Sequence, residues 1–376
     1  MVQTYTYEKI ARIFDSEVNK TTFYNAFEKG EIPEPIIEAR GKVKARVWPL
    51  ESLPLIGNKF GFLKKDGSNK TFLNDLPCGV ITSYARKGGV LKSTIAFNTA
   101  RIAALHGIKT CIVGLDSQCD ITRMLGHYDD IEQLETLEDV SLALESKIGL
   151  YELFEGKVQL EEIILPTDLP SLFFIPETDK IEYLTDKLES AHRREYWLEE
   201  NVISKLRNHF DLIVIDCSPT SGRLIANAIY SSDLILSPIE CSINNYRNYK
   251  SFEAYLDRTL YSLQKEFTDV VAIPTKKKNN GLSKDIYEHY IANIPHSVKE
   301  AIPLSSAMED AVAMKVSVIE LAPKEAVSRS TRNIMIDVFK ALEKAIVVRL
   351  QITRTRLANE LLKTNDLVND HDEVRL

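Results

Sequence analysis

Residues 80–94 read Val-Ile-Thr-Ser-Tyr-Ala-Arg-Lys-Gly-Gly-Val-Leu-Lys-Ser-Thr, and this stretch decides the fold. A short apolar run leads into it, a glycine pair lies in its middle, and apolar residues at helical spacing follow from Ile95. The order strand, glycine-rich loop, Lys-Ser-Thr and helix is typical of a loop that binds nucleotide phosphates at a helix N-terminus. We therefore predict a phosphate-binding site in these residues.

The residue types in the predicted loop match that chemistry. Backbone N–H groups of the loop converge on the phosphates, the Lys92 amine reaches the β- and γ-phosphates, and the Ser93 hydroxyl is a ligand for Mg²⁺. Thr94 adds a hydrogen bond nearby. The remaining loop residues are Gly88, Gly89, Val90 and Leu91. A strict phosphate-binding loop has glycine where this chain has Arg86 and Leu91, so a plain glycine turn with surface lysines is the alternative.

The composition limits the class of protein. A chain of 376 residues with 44% hydrophobic content is expected to fold as about two soluble domains. It has no run of about 18 apolar residues and no apolar signal core at its N-terminus, which predicts a cytoplasmic protein without a membrane span. Its five cysteines are scattered without a Cys-x-x-Cys spacing, which argues against a disulfide framework or a cysteine metal site.

The first 70 residues form a predicted DNA-binding domain followed by a linker. Residues 5–14 and 20–29 fit two short helices separated by a turn, which is compatible with a helix-turn-helix whose second helix contacts DNA. This segment holds 12 Lys/Arg against 9 Asp/Glu, although the whole chain has a net charge of −7. The polar side chains predicted to contact DNA from the second helix are Thr21, Thr22, Tyr24 and Asn25.

Residues 39–48 alternate between cationic and apolar side chains, which predicts a strand with one basic face. With a turn near Gly41, this strand resembles the wing of a MerR-like winged helix-turn-helix. Such a face would contact DNA phosphates. The alternative is a small dimerisation or packing domain with a solvated charged strand. The basic residues on the predicted face are Arg40, Lys42, Lys44 and Arg46.

Two later strands each end in an aspartate. An apolar run over 108–115 delivers Asp116, and a second apolar run delivers Asp216 in the pattern of a Walker B strand. Ligands bind at the carboxyl ends of strands in open α/β sheets, so both carboxylates are expected beside the phosphate loop. Asp216 would hold the Mg²⁺ hydration shell. Either aspartate could instead cap the turn that follows its strand.

Strands and helices alternate through the rest of the chain. This alternation predicts an α/β fold with a doubly wound, mostly parallel sheet over residues 71–325. Residues 326–376 are predicted to form a basic helix followed by an acidic tail.

The motif Lys87-Gly-Gly-x-x-Lys-Ser, together with Asp116 and Asp216, resembles the deviant Walker A motif of the ParA-type DNA-partition ATPases. The resemblance extends over about residues 78–325. It implies ATP and Mg²⁺ as cofactors and a homodimer in which Lys87 reaches the partner's nucleotide. It also implies that Lys87, Lys92 and Asp116 are catalytic, with Asp116 positioning the attacking water. Gly114 departs from the pattern, because the family has an aspartate there.

The same resemblance extends to nucleotide and DNA contacts elsewhere in the chain. It implies that Asn227, Pro274 and Thr275 lie near the nucleotide, and that the following lysines contact DNA without sequence preference. A solvated loop is the alternative for those lysines. Arg354, in the basic C-terminal helix, is a further candidate for DNA contact. The lysines are Lys276, Lys277 and Lys278.

The expected function is ATP-dependent DNA partition by a nucleoid-associated protein that also represses its own operon by binding operator DNA. A centromere-binding partition protein is the expected partner that stimulates ATP hydrolysis. A membrane-associated division-site ATPase is the alternative, disfavoured by the basic N-terminal domain and the acidic tail. An iron–sulfur relative of the nitrogenase iron protein would need paired cysteine ligands and is also disfavoured.

Overall fold

The computed structural model describes residues 3–40, 43–62, 78–127, 136–265, 269–294, 296–304 and 306–321. Lys42 and Arg354, both predicted to contact DNA, lie outside these ranges, as do the predicted domain boundary near residue 70 and the predicted C-terminal helix. Within the described residues, no helix is long and apolar enough to cross a membrane.

The N-terminal unit consists of three helices and a small antiparallel sheet. Both predicted helices are present, and each begins with a side-chain cap: Thr6 accepts a hydrogen bond from the Lys9 amide, and Asn19 accepts one from the Thr22 amide at 2.8 Å. The strands pair in the order β1-β3-β2. The elements are β1 (Thr4–Tyr5), α1 (Tyr7–Ile13), α2 (Lys20–Glu28), β2 (Ile36–Arg40), β3 (Val43–Pro49) and α3 (Leu53–Phe60).

The predicted basic strand is a hairpin. Its register pairs Arg40 with Val43 across the turn, while Lys44 lies opposite Ala39 and Arg46 opposite Ile37. The prediction took residues 39–48 as one continuous strand, which would place Arg40 on the same face as Lys44 and Arg46. That grouping is wrong, because the hairpin register places Arg40 opposite Val43 and not on the face of Lys44 and Arg46. Lys44 and Arg46 remain exposed on β3.

The larger unit is built on a seven-stranded sheet. Its strands are β4 (Gly79–Ser83), β5 (Thr110–Leu115), β6 (Leu165–Pro166), β7 (Leu172–Ile175), β8 (Leu212–Cys217), β9 (Leu234–Glu240) and β10 (Asp269–Thr275). The strand order is β10-β9-β4-β8-β5-β7-β6. Six strands are parallel and the edge strand β6 is antiparallel to β7, which confirms the predicted mostly parallel α/β sheet.

Helices connect these strands and cover the sheet. They are α4 (Lys92–Leu105), α5 (Asp120–Met124), α6 (Leu137–Ser146), α7 (Leu150–Phe154), α8 (Ile181–Ser190), α9 (Ser204–Leu206), α10 (Arg223–Ser231), α11 (Ile243–Ser262), α12 (Gly281–Asn293) and α13 (Ala307–Ala313). Successive strand residues point into different cores: Val80 and Ile213 lie in one hydrophobic cluster, and Ile81 and Val214 in the other. A sheet covered on both faces explains why its strands are continuous apolar runs.

The core on the α4 side continues into the N-terminal unit. Phe14 and Trp48 from that unit belong to the same buried cluster as Phe97 and Leu105 of α4. Beyond the end of α4, Phe14 meets the ring of His106 edge-on, with ring centroids 5.2 Å apart. The N-terminal unit is therefore packed directly on the helix that begins at the phosphate loop.

Arg101 of α4 carries a buried charge that is fully paired. Its guanidinium donates to Glu320 at 2.7 Å and to Asp168 at 2.8 Å, and both acceptors come from segments distant in sequence. Paired, hydrogen-bonded charges of this kind hold segments in place more than they add net stability. The ion cluster fixes α4 against the end of the described chain.

A substitution at Gly57 tests the packing between the N-terminal unit and α4. A Cβ atom at this position would collide with the Leu105 carbonyl and lie 2.6 Å from Cε1 of Phe14. Gly57→Ala should therefore lower the free energy of unfolding by about 1–3 kcal/mol in urea titrations, despite the better helix propensity of alanine. Gly281→Ala is the matched control, because a Cβ there meets nothing within 4 Å. Equal stability of the two variants would contradict the packing described here.

Candidate nucleotide site

The phosphate loop links the end of β4 to the start of α4. Two of its residues adopt left-handed backbone conformations, Gly89 with φ +70° and Leu91 with φ 74°. Glycine adopts this conformation without strain, whereas a leucine does so at a cost of about 1–2 kcal/mol. The backbone at position 91 thus retains the conformation that favours glycine, although the side chain is leucine.

Lys92 begins α4 and is nearly buried in the loop. The Ser83 hydroxyl donates to the Lys92 carbonyl at 2.9 Å, and the Lys92 amine donates to the Lys87 carbonyl at 3.4 Å. The amine also lies close enough to Asp216 to lower the pKa of that carboxyl group. A positive charge is therefore held at the helix N-terminus, where the helix dipole also favours an anion.

Asp216 lies at the end of β8, directly beside β4. Its side chain is completely buried, and both carboxylate oxygens lack a hydrogen-bond partner of normal geometry among the described residues. Burial raises the pKa of Asp216 to about 7, while the neighbouring Ser93 hydroxyl and the Lys92 amine lower it. A buried carboxylate without a partner next to a hydroxyl is a donor set that suits Mg²⁺.

The described residues contain no group of three or more His, Cys, Asp or Glu side chains that could hold a metal by themselves. Ser93 and Asp216 would thus supply only part of a coordination sphere. Mg²⁺ usually completes its octahedron with water and with phosphate oxygens from a nucleotide. The residues present therefore fit a magnesium ion that arrives with a nucleotide.

Asp116 lies where β5 ends, one strand beyond Asp216. Its Oδ1 atom accepts a hydrogen bond from the Gln118 amide at 3.1 Å, so the carboxylate does cap the following turn. Burial raises the pKa of Asp120, the first residue of α5, and the nearby charge of Asp116 raises it further. One turn-capping hydrogen bond leaves further lone pairs of Asp116 for a water molecule.

Glu177 was not predicted from the sequence. It follows β7, is completely buried, and approaches Gly114 so closely that a Cβ there would collide with Cγ of Glu177. Burial raises the pKa of Glu177 well above its usual range, and the nearby charges of Asp216 and Asp116 raise it further. Nothing in the local sequence indicates this position, because Gly114 lies on β5 and Glu177 lies just after β7, far along the chain.

Lys87 forms an ion pair within its own chain. Its amine lies 3.3 Å from Oε2 of Glu240 at the end of β9, and the same oxygen accepts a hydrogen bond from the Asn245 side chain (Nδ2) at 3.0 Å. Neighbouring Arg86 lies over the Tyr255 ring at 5.2 Å. The two basic residues at the start of the loop are therefore held by β9 and α11. Glu240 was missed because its role depends on this tertiary contact.

Asn227, predicted to lie near the nucleotide, makes its hydrogen bonds inside the protein. Asn227 is completely buried on α10, where its side chain accepts from the Leu198 amide at 2.9 Å and donates to the carbonyls of Arg194 and Arg223. The bonds to Leu198 and Arg194 join α10 to the segment over residues 194–198. Pro274 and Thr275 are also buried, and their carbonyls accept bonds from Ile302 and Cys241.

The predicted DNA-contacting side chains differ in accessibility. Thr21, Thr22 and Asn25 are exposed on α2, whereas Tyr24 is half-buried with Arg46 5.1 Å from its ring. In the loop after β10, Lys278 is exposed and Lys276 partly so. The Lys277 amine lies 3.8 Å from the centroid of the Tyr287 ring, which occupies one side of it.

A family model described as an AAA domain (AAA_31) matches residues 78–273, slightly more than half of the chain. The match starts immediately before β4 and ends in β10, so it covers the phosphate loop, Asp116, Glu177 and Asp216.

Two curated relatives are chromosome-partition proteins. The chromosome-partitioning ATPase Soj of Treponema pallidum is 28% identical over 156 residues, which is 42% of this chain and 54% of that protein. The chromosome partitioning protein ParA of Myxococcus xanthus is 26% identical over 59% of this chain and 70% of its own length. The chain thus spans little more than half the length of the first of these relatives.

Solved structures show the same fold. A plasmid partition protein of Borrelia burgdorferi B31 bound to AMPPNP superimposes with a TM-score of 0.56 at 20% identity. The superposition covers 71% of this chain and 99% of that one. At this identity the likeness shows the fold of the larger unit.

Asp216→Asn should stabilise the nucleotide-free protein in a pH-dependent way. The pKa of this carboxyl group is raised from 3.8 to about 7 on folding, so wild-type stability falls as pH rises between those values. Asparagine does not titrate, and the variant should be more stable by at least about 1 kcal/mol at pH 8 and nearly equal at pH 4. Urea unfolding at both pH values measures this difference.

Asp186→Asn, at an exposed position on α8, also replaces one carboxyl group by an amide and is the control for that experiment. A stability difference between Asp216→Asn and wild type that does not change with pH would contradict the raised pKa of Asp216.

Proposed function

The chain belongs to the AAA domain family that its residues 78–273 match and is of ParA type, and on this premise we propose that it is an ATP-hydrolysing DNA-partition protein. The observation that carries the proposal is the buried Asp216 carboxylate beside Lys92 and Ser93 at the start of α4, whose oxygens have no hydrogen-bond partner of normal geometry among the described residues. An Mg²⁺-bound triphosphate is the ligand class whose charges complement both the carboxylate and the lysine.

In the proposed site, the backbone of residues 88–91 holds the phosphates and Lys92 neutralises their negative charge. Ser93 and Asp216 would hold Mg²⁺, which when bound supplies charge neutralisation at the β- and γ-phosphates. Asp116 orients the attacking water from the end of β5. The protein itself forms no covalent bond in this scheme, because catalysis of phosphoryl transfer depends mainly on positioning the reactants and on stabilising charge.

Lys87 is proposed to act across a homodimer. In the single chain its amine is held by Glu240, which itself is fixed by Asn245. The Lys87 side chain is about one-third exposed, so the pair is worth little and exchanges easily for a nucleotide phosphate of the partner. ATP would thus favour the dimer by offering Lys87 a stronger acceptor than Glu240.

DNA binding is proposed for two surfaces. The N-terminal unit, with two short helices and a hairpin, is proposed as a winged helix-turn-helix that binds operator DNA and represses the protein's own operon. Its exposed side chains for this role are Thr21, Thr22, Asn25, Lys44 and Arg46. The loop after β10, with Lys276 and Lys278, is proposed to bind DNA phosphates without sequence preference.

A partition cycle follows from these parts. The ATP-bound dimer would sit on nucleoid DNA, and a centromere-binding partner would stimulate slow hydrolysis and release it. The curated relatives from Treponema and Myxococcus support this role, because both are described as chromosome-partitioning proteins.

Asp116→Ala should separate ATP binding from hydrolysis. We expect affinity for a fluorescent ATP analogue close to wild type, because the loop and Lys92 hold the phosphates, and hydrolysis slowed at least about 100-fold. Lys92→Ala is the comparison variant and should lose nucleotide binding itself. Wild-type hydrolysis by Asp116→Ala would refute the role of Asp116, and unchanged nucleotide affinity in Lys92→Ala would refute the site.

Binding to random-sequence duplex DNA should require ATP and weaken steeply with salt, because phosphate contacts release counterions. The Lys276→Ala/Lys278→Ala double variant should bind more weakly and reduce the log–log salt slope by about 2. Anisotropy titrations with ATP, ADP and no nucleotide measure both quantities. Lys205→Ala, an exposed lysine on α9, is the control. A salt slope that the double variant leaves unchanged would show that the loop does not contact DNA.

A further inference from the structure

We propose that Glu177 is a positioning residue of the nucleotide site, which fills the space left by Gly114 and holds the Asp116–Thr122 segment through Thr122. The inference rests on the proposed function, since it assigns Glu177 a task in ATP hydrolysis.

The position of Gly114 makes room for this carboxylate. Gly114 lies on β5 between two strands, opposite Asp216 of β8, while its neighbour Val113 lies opposite Ile175 of β7. A Cβ at Gly114 would collide with Cγ of Glu177 and would lie 2.6 Å from Cδ and 2.8 Å from Oε1. Any side chain at position 114 would therefore displace Glu177 from its place.

Glu177 and Thr122 are joined by reciprocal hydrogen bonds. The Thr122 amide donates to Oε2 of Glu177 at 3.2 Å, and the Thr122 hydroxyl lies 3.4 Å from the same oxygen. In return the Glu177 amide donates to the Thr122 hydroxyl at 2.8 Å. Both residues are completely buried, so water does not compete for these bonds. The pair fastens the start of α5 to the end of β7.

Packing alone does not account for an acidic residue at this position. Glu177 is buried within the electrostatic influence of Asp216, Asp116 and Asp120, which all disfavour a further negative charge. An apolar side chain of similar size would fill the space over Gly114 without the cost of burying a carboxyl group among acids. The carboxyl group of Glu177 is explained by its hydrogen bonds to the backbone amide and the hydroxyl of Thr122.

The held segment carries the residue proposed to orient water. Asp116 is six residues before Thr122, and the short turn between them is closed by the bond from the Cys119 amide to the Asp116 carbonyl at 3.1 Å. With one end fixed by β5 and the other by Glu177, the Asp116 carboxylate has little freedom to move. The phosphates depend on a different element, the loop before α4. Loss of Glu177 should therefore impair turnover more than nucleotide affinity.

The test compares single-turnover ATP hydrolysis, ATP-analogue affinity and melting temperature in four purified single variants and one double variant. Glu177→Ala should lower the hydrolysis rate about 10- to 100-fold while changing affinity less than about threefold. Glu177→Gln keeps a carbonyl oxygen that can accept from Thr122, so it should hydrolyse ATP at least about fivefold faster than Glu177→Ala. Glu152→Ala removes another buried glutamate, one that bonds Gly149 and Lys180, and controls for general loss of stability.

The fourth variant, Gly114→Ala, tests the contact between the two positions. It should slow hydrolysis in the wild-type background but have a smaller effect when combined with Glu177→Ala, because the obstructing side chain is then absent. Additive effects would show that Gly114 does not serve to admit Glu177.

Each outcome bears on one proposal. Wild-type hydrolysis by Glu177→Ala, or a rate loss equal to that of Glu152→Ala at the same drop in melting temperature, would overturn the positioning role. Absence of ATP binding and hydrolysis in the wild-type protein would instead overturn the proposed function. A rate loss in Glu177→Gln as large as in Glu177→Ala would also contradict the hydrogen bond to Thr122 as the basis of the effect.

Discussion

A buried carboxyl group at the end of β8 is the constraint on which the rest of the site depends. Among the described residues, neither oxygen of Asp216 has a hydrogen-bond partner of normal geometry, and burial alone makes its ionised form unfavourable. The surrounding elements reduce this penalty from two sides, with the Lys92 amine and the Ser93 hydroxyl at the start of α4. Most proteins avoid such a group, so its presence indicates a site organised for a cation that is not part of the polypeptide.

Helix α4 connects this site to nearly everything else described. Its first residue is Lys92, its middle residue Arg101 is tied to Glu320 and Asp168, and its end packs under Gly57 of the N-terminal unit. All of its residues are buried, which is unusual for a helix of this length in a soluble protein. The helix that begins at the phosphate loop therefore also contacts Glu320 and the N-terminal unit.

Local patterns in the sequence predicted the phosphate loop, both strand-end aspartates and the mostly parallel sheet, because each depends on residues that are neighbours in the chain. What they could not predict involves distant partners. Glu177 lies over Gly114, which is 63 residues earlier, and Lys87 pairs with Glu240 across 153 residues. The internal hydrogen bonds of Asn227 to Leu198 and Arg194 were not predicted for the same reason, since they are visible only in the fold. The prediction that Arg40 shares a face with Lys44 was wrong because the two residues lie on different strands of a hairpin.

The shared core between α4 and the N-terminal unit has a consequence for dissecting the protein. Phe14, Trp48 and Leu53 belong to the same buried cluster as Phe97 and Leu105. A fragment that begins at β4 would present that apolar surface to water, and such surfaces drive self-association. The solubility of excised fragments would then reflect the newly exposed apolar surface rather than nucleotide chemistry.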